Sequence, residues 1–508
     1  MRMRLALITL SAAATLTADV KLPAIISDHM VLQRGKPVRI FGTAEPGESV
    51  TVQFRGQTAT GIAEPDGRWQ VWLRPLEAGA AAEMTIAGRN TLTVRDVLVG
   101  EVWVGSGQSN MQWTVKASNN PEEEARNANY PQIRLFRVPL KTMDTPQWDV
   151  EAKWEVCSPE TVPQFSAVLY FFGRSLHRKL NVPFGLIQSA YGGTPAQAWT
   201  SKEALAADPA LTPILGEWTK VLDAYPEAFA RYQKAVAEWD AAAKAARASG
   251  AALPRRPPIP AGPGHAHTPS GLFNAMIHPI LPFTIQGVIW YQGESNANRV
   301  QAPLYRRLFE TMIQDWRRRW GQGDFPFLWV QLANFAKAAS PSDWVLVQEA
   351  QSQALELRGT AQAVINDIGD PVDIHPKNKQ DVGERLALAA RHLAYKERLV
   401  YSGPRYRQAT VEHATTGDRG VKMRVWFDST AGELKARGGG PLKGFELAGS
   451  DRVFHPAEAR VDGATVVVSS PSVAQPVAVR YAWNSNPDCN LINAEGLPAS
   501  AFRSDHWQ

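Results

Sequence analysis

The chain has 508 residues, too many for one hydrophobic core, so two to four domains are expected. Its 44% hydrophobic and 20% charged residues are globular values that exclude a largely disordered chain. A net charge of +5, with Lys and Arg scattered, argues against nucleic acid as the main partner.

Arg2 and Arg4, the apolar stretch Leu5 to Leu16 and the small residues after it read as a secretory signal over residues 1–18. That run is too short to span a bilayer and no later one is long enough, so a secreted or periplasmic protein without membrane insertion is expected. Cys157 and Cys489 are the only two cysteines. A bridge and two buried thiols are both open.

From residue 19 to 95 short alternating runs, such as Val38 to Phe41, Ser49 to Phe54 and Trp69 to Leu73, are broken by Gly- and Pro-containing turns. They predict a small β-sandwich. From 96 to 398 strands alternate with helical stretches, which predicts a parallel sheet covered on both faces. The strands are expected at Val97 to Val104, Ile133 to Val138, Phe184 to Gln188, Gln286 to Tyr291, Phe327 to Leu332 and Ala361 to Ile365. The helices are expected at Ala167 to Leu180, Tyr305 to Arg319, Trp344 to Leu357 and Asn378 to Tyr395. The alternation stops between about 200 and 264, where Phe229, Tyr232, Val236 and Trp239 share one helical face and a Pro/Gly-rich loop follows. This predicts a helical insertion close to the site. A second small β domain is expected over 399–508, with the tail Asn484 to Arg503 folding back towards the centre.

Four stretches carry candidate chemistry. Gly105-Ser106-Gly107-Gln108-Ser109-Asn110-Met111 follows a buried strand, where an α/β sheet presents reactive groups at its carboxyl edge. A helix starting near Ser109 would offer free N–H groups to a developing oxyanion, which suits a serine nucleophile in acyl transfer. Tyr191-Gly192-Gly193-Thr194 follows a second strand and can supply a bare backbone N–H. Trp290-Tyr291-Gln292-Gly293-Glu294-Ser295-Asn296 ends a third; Gln292 or Asn296 could donate to the same oxygen, with Glu294 as an acceptor behind. In Asp367-Ile368-Gly369-Asp370-Pro371-Val372-Asp373-Ile374-His375-Pro376 a histidine shares a loop with three carboxylates. No carboxylate and histidine spacing suggests a metal site, and no cofactor is expected.

These four blocks together resemble the sialate O-acetylesterase-like branch of the SGNH hydrolases. The resemblance runs from Leu32-Gln33-Arg34 to Tyr481-Ala482-Trp483 and Asn493 to Pro498. It implies a three-layer α/β/α SGNH-hydrolase domain with a parallel sheet, flanked by small N- and C-terminal β domains. It also implies a metal-free serine esterase that removes O-acetyl groups from carbohydrate. On this likeness Ser109 matches the nucleophile and His375 the base. Gly193 and the Gln292 to Asn296 block match the oxyanion hole beside the Ser109 N–H.

The residues agree with that assignment, since histidine titrates near neutrality and can take the Ser109 proton and return it to the departing sugar hydroxyl. One departure stands out: SGNH hydrolases usually place Asp three residues before the histidine, and Val372 is there. Asp373, two before, is the expected third member, with Asp370 and Asp367 as alternatives. The expected partner is an acetylated mono-, oligo- or polysaccharide. Gln108, Asn110, Glu294 and Trp199 are its expected contacts, because the 17 tryptophans fill cores first but also stack on sugar rings. The rival expectation is an inactive carbohydrate-binding protein on the same fold.

Overall fold

The computed structural model describes residues 19–413 and 420–507. The expected secretory segment, 1–18, lies outside the described residues. One strand, Thr91–Gly107, organises everything else. Its first half pairs antiparallel with Gly79–Ala87 and parallel with Val31–Gln33 in the N-terminal β module. Its second half lies between Phe184–Ala190 and Gly287–Tyr291, parallel to both. The expected domain boundary near Asp96 therefore falls inside a continuous strand. Asp96 itself has φ +54° and turns the strand there. Its carboxylate is held by Arg134 at 2.7 and 3.2 Å and by His29 at 2.6 Å.

The central sheet runs Thr360–Ala363, Phe327–Val330, Gly287–Tyr291, Thr91–Gly107, Phe184–Ala190, Tyr130–Arg137, Trp154–Cys157, and only the last edge strand is antiparallel. Alternation along the middle strand explains the two covering layers. Val102 and Val104 face a core with Phe309 and Trp316 from the helix Tyr305–Trp320. Trp103 faces the other core, with Leu169 from Ala167–Leu180 and Leu386 from Lys379–Leu393. The expected strands and helices are all present, with ends shifted by a few residues, as fraying of terminal turns allows. The register matters for function: Gly107 pairs with Ala190 on one side and Tyr291 on the other. Three strands thus end level, and the three loops that leave them meet.

The insertion is a helix of 38 residues, Thr212–Ser249, of which only Ala243 is buried. Its half-buried stripe includes Tyr225, Phe229, Tyr232 and Trp239 and lies against the returning segment. The Trp239 indole donates to the Pro254 carbonyl at 2.8 Å, and Gly262 seats under the Tyr225 ring. The segment then re-enters beside the site through His267. The C-terminal module is built from antiparallel strands, including Arg405–Glu412, Lys422–Asp428 and Thr465–Ser469. Its tail folds back as expected: Phe335 N–H donates to Ser485 C=O at 2.7 Å, and Arg503 pairs with Glu349 at 2.8 and 2.9 Å. Cys157 and Cys489 are free thiols. Among the described residues, no helix is long and apolar enough to cross a membrane.

Candidate active site

Ser109 opens the short helix Ser109–Gln112, and the turn before it is clamped between the two neighbouring strands. Gln108 N–H donates to Tyr291 C=O at 2.9 Å, while Gly107 C=O accepts from Tyr191 N–H at 3.0 Å. Only glycine fits at 107. Its φ is +133°, and a Cβ there would stand 2.2 Å from the Tyr291 oxygen. As the first helical residue, Ser109 has no intrahelical acceptor for its N–H. Ser166, which caps the helix Ala167–Leu180, anchors the other end of the Ser109 turn by donating to Met111 C=O at 2.6 Å.

His375 arrives on the loop between the last parallel strand and the helix Lys379–Leu393, and its Nε2 stands 2.9 Å from Ser109 Oγ. Trp113 stacks flat on the imidazole, centroids 4.6 Å apart at 12°. Burial lowers the imidazole pKa, and the Lys379 charge lowers it further against the opposing pull of Asp373. A neutral, proton-accepting ring at neutral pH follows.

The three carboxylates of that loop take three different positions. Asp373 Oδ1 is 3.6 Å from His375 Nδ1 and accepts the His375 backbone N–H at 2.9 Å. Asp370 Oδ1 accepts the N–H groups of Val372 and Asp373 at 2.8 and 3.0 Å, capping the turn. Asp367 is buried and clamped by Arg385 at 2.6 and 2.7 Å and by Arg437, which ties the C-terminal module to the sheet. Of the three, Asp373 alone is drawn to the ring.

Gly192 lies against Ser109, since a Cβ there would stand 3.3 Å from Ser109 Cβ. Its N–H donates to Gln112 Oε1 at 2.8 Å. Gly193 has φ +71° and faces open space, and among the described residues its N–H takes no acceptor. Its carbonyl accepts from His267 Nε2 at 2.7 Å, so the returning insertion braces this loop.

The expected amide donors behave otherwise. Gln292 Nε2 donates to Thr194 C=O at 3.1 Å and to Asn296 Oδ1 at 2.7 Å; Asn296 Nδ2 donates to Gln197 at 3.0 Å and Gln301 at 3.1 Å. Both side chains are fully buried, and all four of their N–H groups are committed. They hold the Gly193 loop in place, with Asn296 Oδ1 also accepting from Ala196 N–H at 2.9 Å, and neither has a hydrogen left for an oxyanion. Trp199 is likewise a correction. It is fully buried, its indole donating to Thr194 Oγ1 at 3.0 Å, and it offers no face to a sugar.

The remaining expected contacts lie behind Ser109. Gln108 Oε1 faces the N–H groups of Gly293 at 3.4 Å and Ser295 at 3.2 Å, joining the first block to the third. Asn110 is buried and joins three elements, donating to Glu294 Oε1 at 2.6 Å and Ile374 C=O at 3.0 Å and accepting from Lys379 Nζ at 2.5 Å. Burial raises the Glu294 pKa and lowers that of Lys379 to about 7. Lys379 was missed by sequence reading, because Asn378-Lys379-Gln380-Asp381 looks like a solvated helix start. Its side chain instead runs inward over the Tyr291 ring at 5.2 Å. Among the described residues, no group of three or more His, Cys, Asp or Glu is placed to hold a metal ion.

A mixed sheet between two helical layers, with the Ser109 turn at its carboxyl edge, is the carbohydrate-esterase form of the SGNH fold. Residues 269–392 match the family described as carbohydrate esterase, sialic acid-specific acetylesterase. The sialate O-acetylesterase of Mus musculus is 33% identical over 547 residues, covering 94% of this chain and 93% of that protein. That of Rattus norvegicus is 33% identical over 434 residues, covering 75% and 74%. A carbohydrate acetylesterase from Xanthomonas citri superposes with a TM-score of 0.81 at 39% identity, covering 96% of this chain and all of that one. The chain belongs to the sialate O-acetylesterase family. It is a carboxylic ester hydrolase of the acetylesterase class, which displaces the expectation of an inactive binding protein.

Proposed function

We propose that the enzyme removes O-acetyl groups from carbohydrate through an acetyl-Ser109 intermediate. The observation that carries this reading is the 2.9 Å approach of His375 Nε2 to Ser109 Oγ beside the unengaged Gly193 N–H. His375 takes the Ser109 proton as Oγ attacks the acetyl carbonyl, and the N–H groups of Ser109 and Gly193 hold the oxyanion. The imidazolium returns its proton to the departing sugar oxygen, freeing the alcohol and leaving the acetyl ester on Ser109. Water then gives a proton to His375 and attacks that ester, and acetate leaves as Ser109 recovers its hydrogen. Asp373 favours the imidazolium that forms twice in this cycle.

The sugar as substrate rests on the names of the relatives, and export from the cytoplasm rests on the basic and apolar character of residues 1–18. Acetate release from acetylated xylo-oligosaccharide, O-acetyl sialic acid and an aryl acetate tests the reading. Release from at least one acetylated sugar at a higher kcat/KM than from the aryl ester is expected. Turnover of the aryl ester alone would remove carbohydrate from the proposal.

A further inference from the structure

A cavity of about 430 Å³ opens between the N-terminal β module and the loop carrying Trp148, and no residue of the catalytic loops lines it. Two buried donors on its walls have no acceptor, Arg39 Nε and Trp69 Nε1. A buried N–H without a partner is costly, on the order of 1–3 kcal/mol, and an acceptor that reached either one would recover that cost. Trp69 is only 2% exposed, and the Cζ2 edge of its six-membered ring lies over Gly42, itself on the cavity wall. Arg39 lies over the Trp72 ring at 4.5 Å and makes no ion pair among the described residues. The two acidic side chains nearby do not neutralise it: Asp149 Oδ1 accepts the N–H groups of Ala24 and Val150 at 2.8 and 2.7 Å, and Glu64 is exposed. On the opposite wall Trp148 remains 48% exposed, with Arg68 seated on its ring at 3.0 Å.

We infer that this cavity is a second binding site, for a carboxylate-bearing sugar ring, distinct from the catalytic centre. The Arg39 guanidinium takes the carboxylate through its free Nε–H, the Trp69 indole donates to a ring hydroxyl, and Trp148, with Arg68 on its ring, closes the opposite wall. Choosing a sugar as ligand rests on the proposed function; the anionic group rests on Arg39 alone. The site would hold an acidic unit of a glycan away from the ester being cleaved.

Calorimetric titration of the full-length Ser109→Ala protein with methyl glucuronoside and its neutral twin methyl glucoside tests this directly. Saturating binding of the glucuronoside is expected, with affinity roughly tenfold lower for the neutral twin and for Arg39→Gln in the same background. Trp69→Phe, which keeps an aromatic ring and removes the donor, should weaken binding as well. With Ser109 intact, Arg39→Gln should hydrolyse 4-nitrophenyl acetate at the unaltered rate, so loss of this site reads separately from loss of esterase chemistry. No binding of the glucuronoside, equal affinity for both sugars, or full affinity in both variants overturns the proposal.

Discussion

Asp373 stands 3.6 Å from the Nδ1 of His375, beyond hydrogen-bond reach, while its Oδ1 accepts the His375 backbone N–H at 2.9 Å. A carboxylate two residues before the histidine must turn back to face the ring, and it does so by way of the main chain. Removing a tightly bonded triad carboxylate costs ~10⁴-fold in kcat. Asp373→Asn should cost less, roughly 10- to 100-fold, because the charge acts across a longer gap beside solvent. Steady-state kinetics on an aryl acetate measure this. A loss as large as that of His375→Ala would show that the contact closes fully during turnover.

The imidazole pKa is lowered chiefly by burial, then by Lys379, and raised by Asp373. The proposed base must be neutral, so kcat/KM should rise with pH through that pKa, below 6.5. Asp373→Asn removes a raising influence and should move the acid limb to lower pH. Trp113→Ala strips the ring stacked on His375 and should move it upward, towards the ordinary histidine value, while Trp113→Phe holds it. Opposite signs in the two pH–rate profiles are the check.

Lys379 has a folded pKa of about 7 against 10.5 when unfolded. Between those values the unfolded chain binds a proton that the folded chain does not, so this residue makes stability rise with pH across that window. Thermal unfolding of wild type should gain on Lys379→Met from pH 7 to pH 9. Parallel curves would mean that Lys379 stays charged in its pocket.

Gly107→Ala places a Cβ 2.2 Å from the Tyr291 oxygen in a backbone conformation alanine avoids, and about 3 kcal/mol of stability should be lost. Gly193→Ala meets nothing within 4 Å, and only its φ of +71° opposes it, at a cost of roughly 1 kcal/mol. Chemical denaturation of the two variants should separate them in that order.

Much of the site was legible because its blocks are runs of Gly, Ser, Gln and Asn at the ends of apolar strands, and the register of Gly107 against Ala190 and Tyr291 gathers them. What sequence could not give is which polar groups already have partners. Gln292 and Asn296 read as donors, yet each spends both hydrogens on side chains and carbonyls brought close by folding. Asp367 read as a possible partner of His375 until Arg385 and Arg437, 18 and 70 residues away in sequence, claimed it. Trp199 sits beside a motif but packs edge-on against Trp290, centroids 6.0 Å apart, because a large aromatic next to a strand end is core before it is surface. The alternation of Val102, Trp103 and Val104 between two cores follows from the period of two along the strand.

The central claim is that Ser109 carries the acyl group. Treating wild type and Ser109→Ala with a fluorophosphonate, locating the label by mass spectrometry, and following 4-nitrophenyl acetate hydrolysis tests it most directly. Wild type should be inactivated with one label on Ser109, and the variant should be unlabelled with turnover reduced at least ~10⁴-fold. An active Ser109→Ala enzyme, or a label on another residue with loss of activity, would contradict the account.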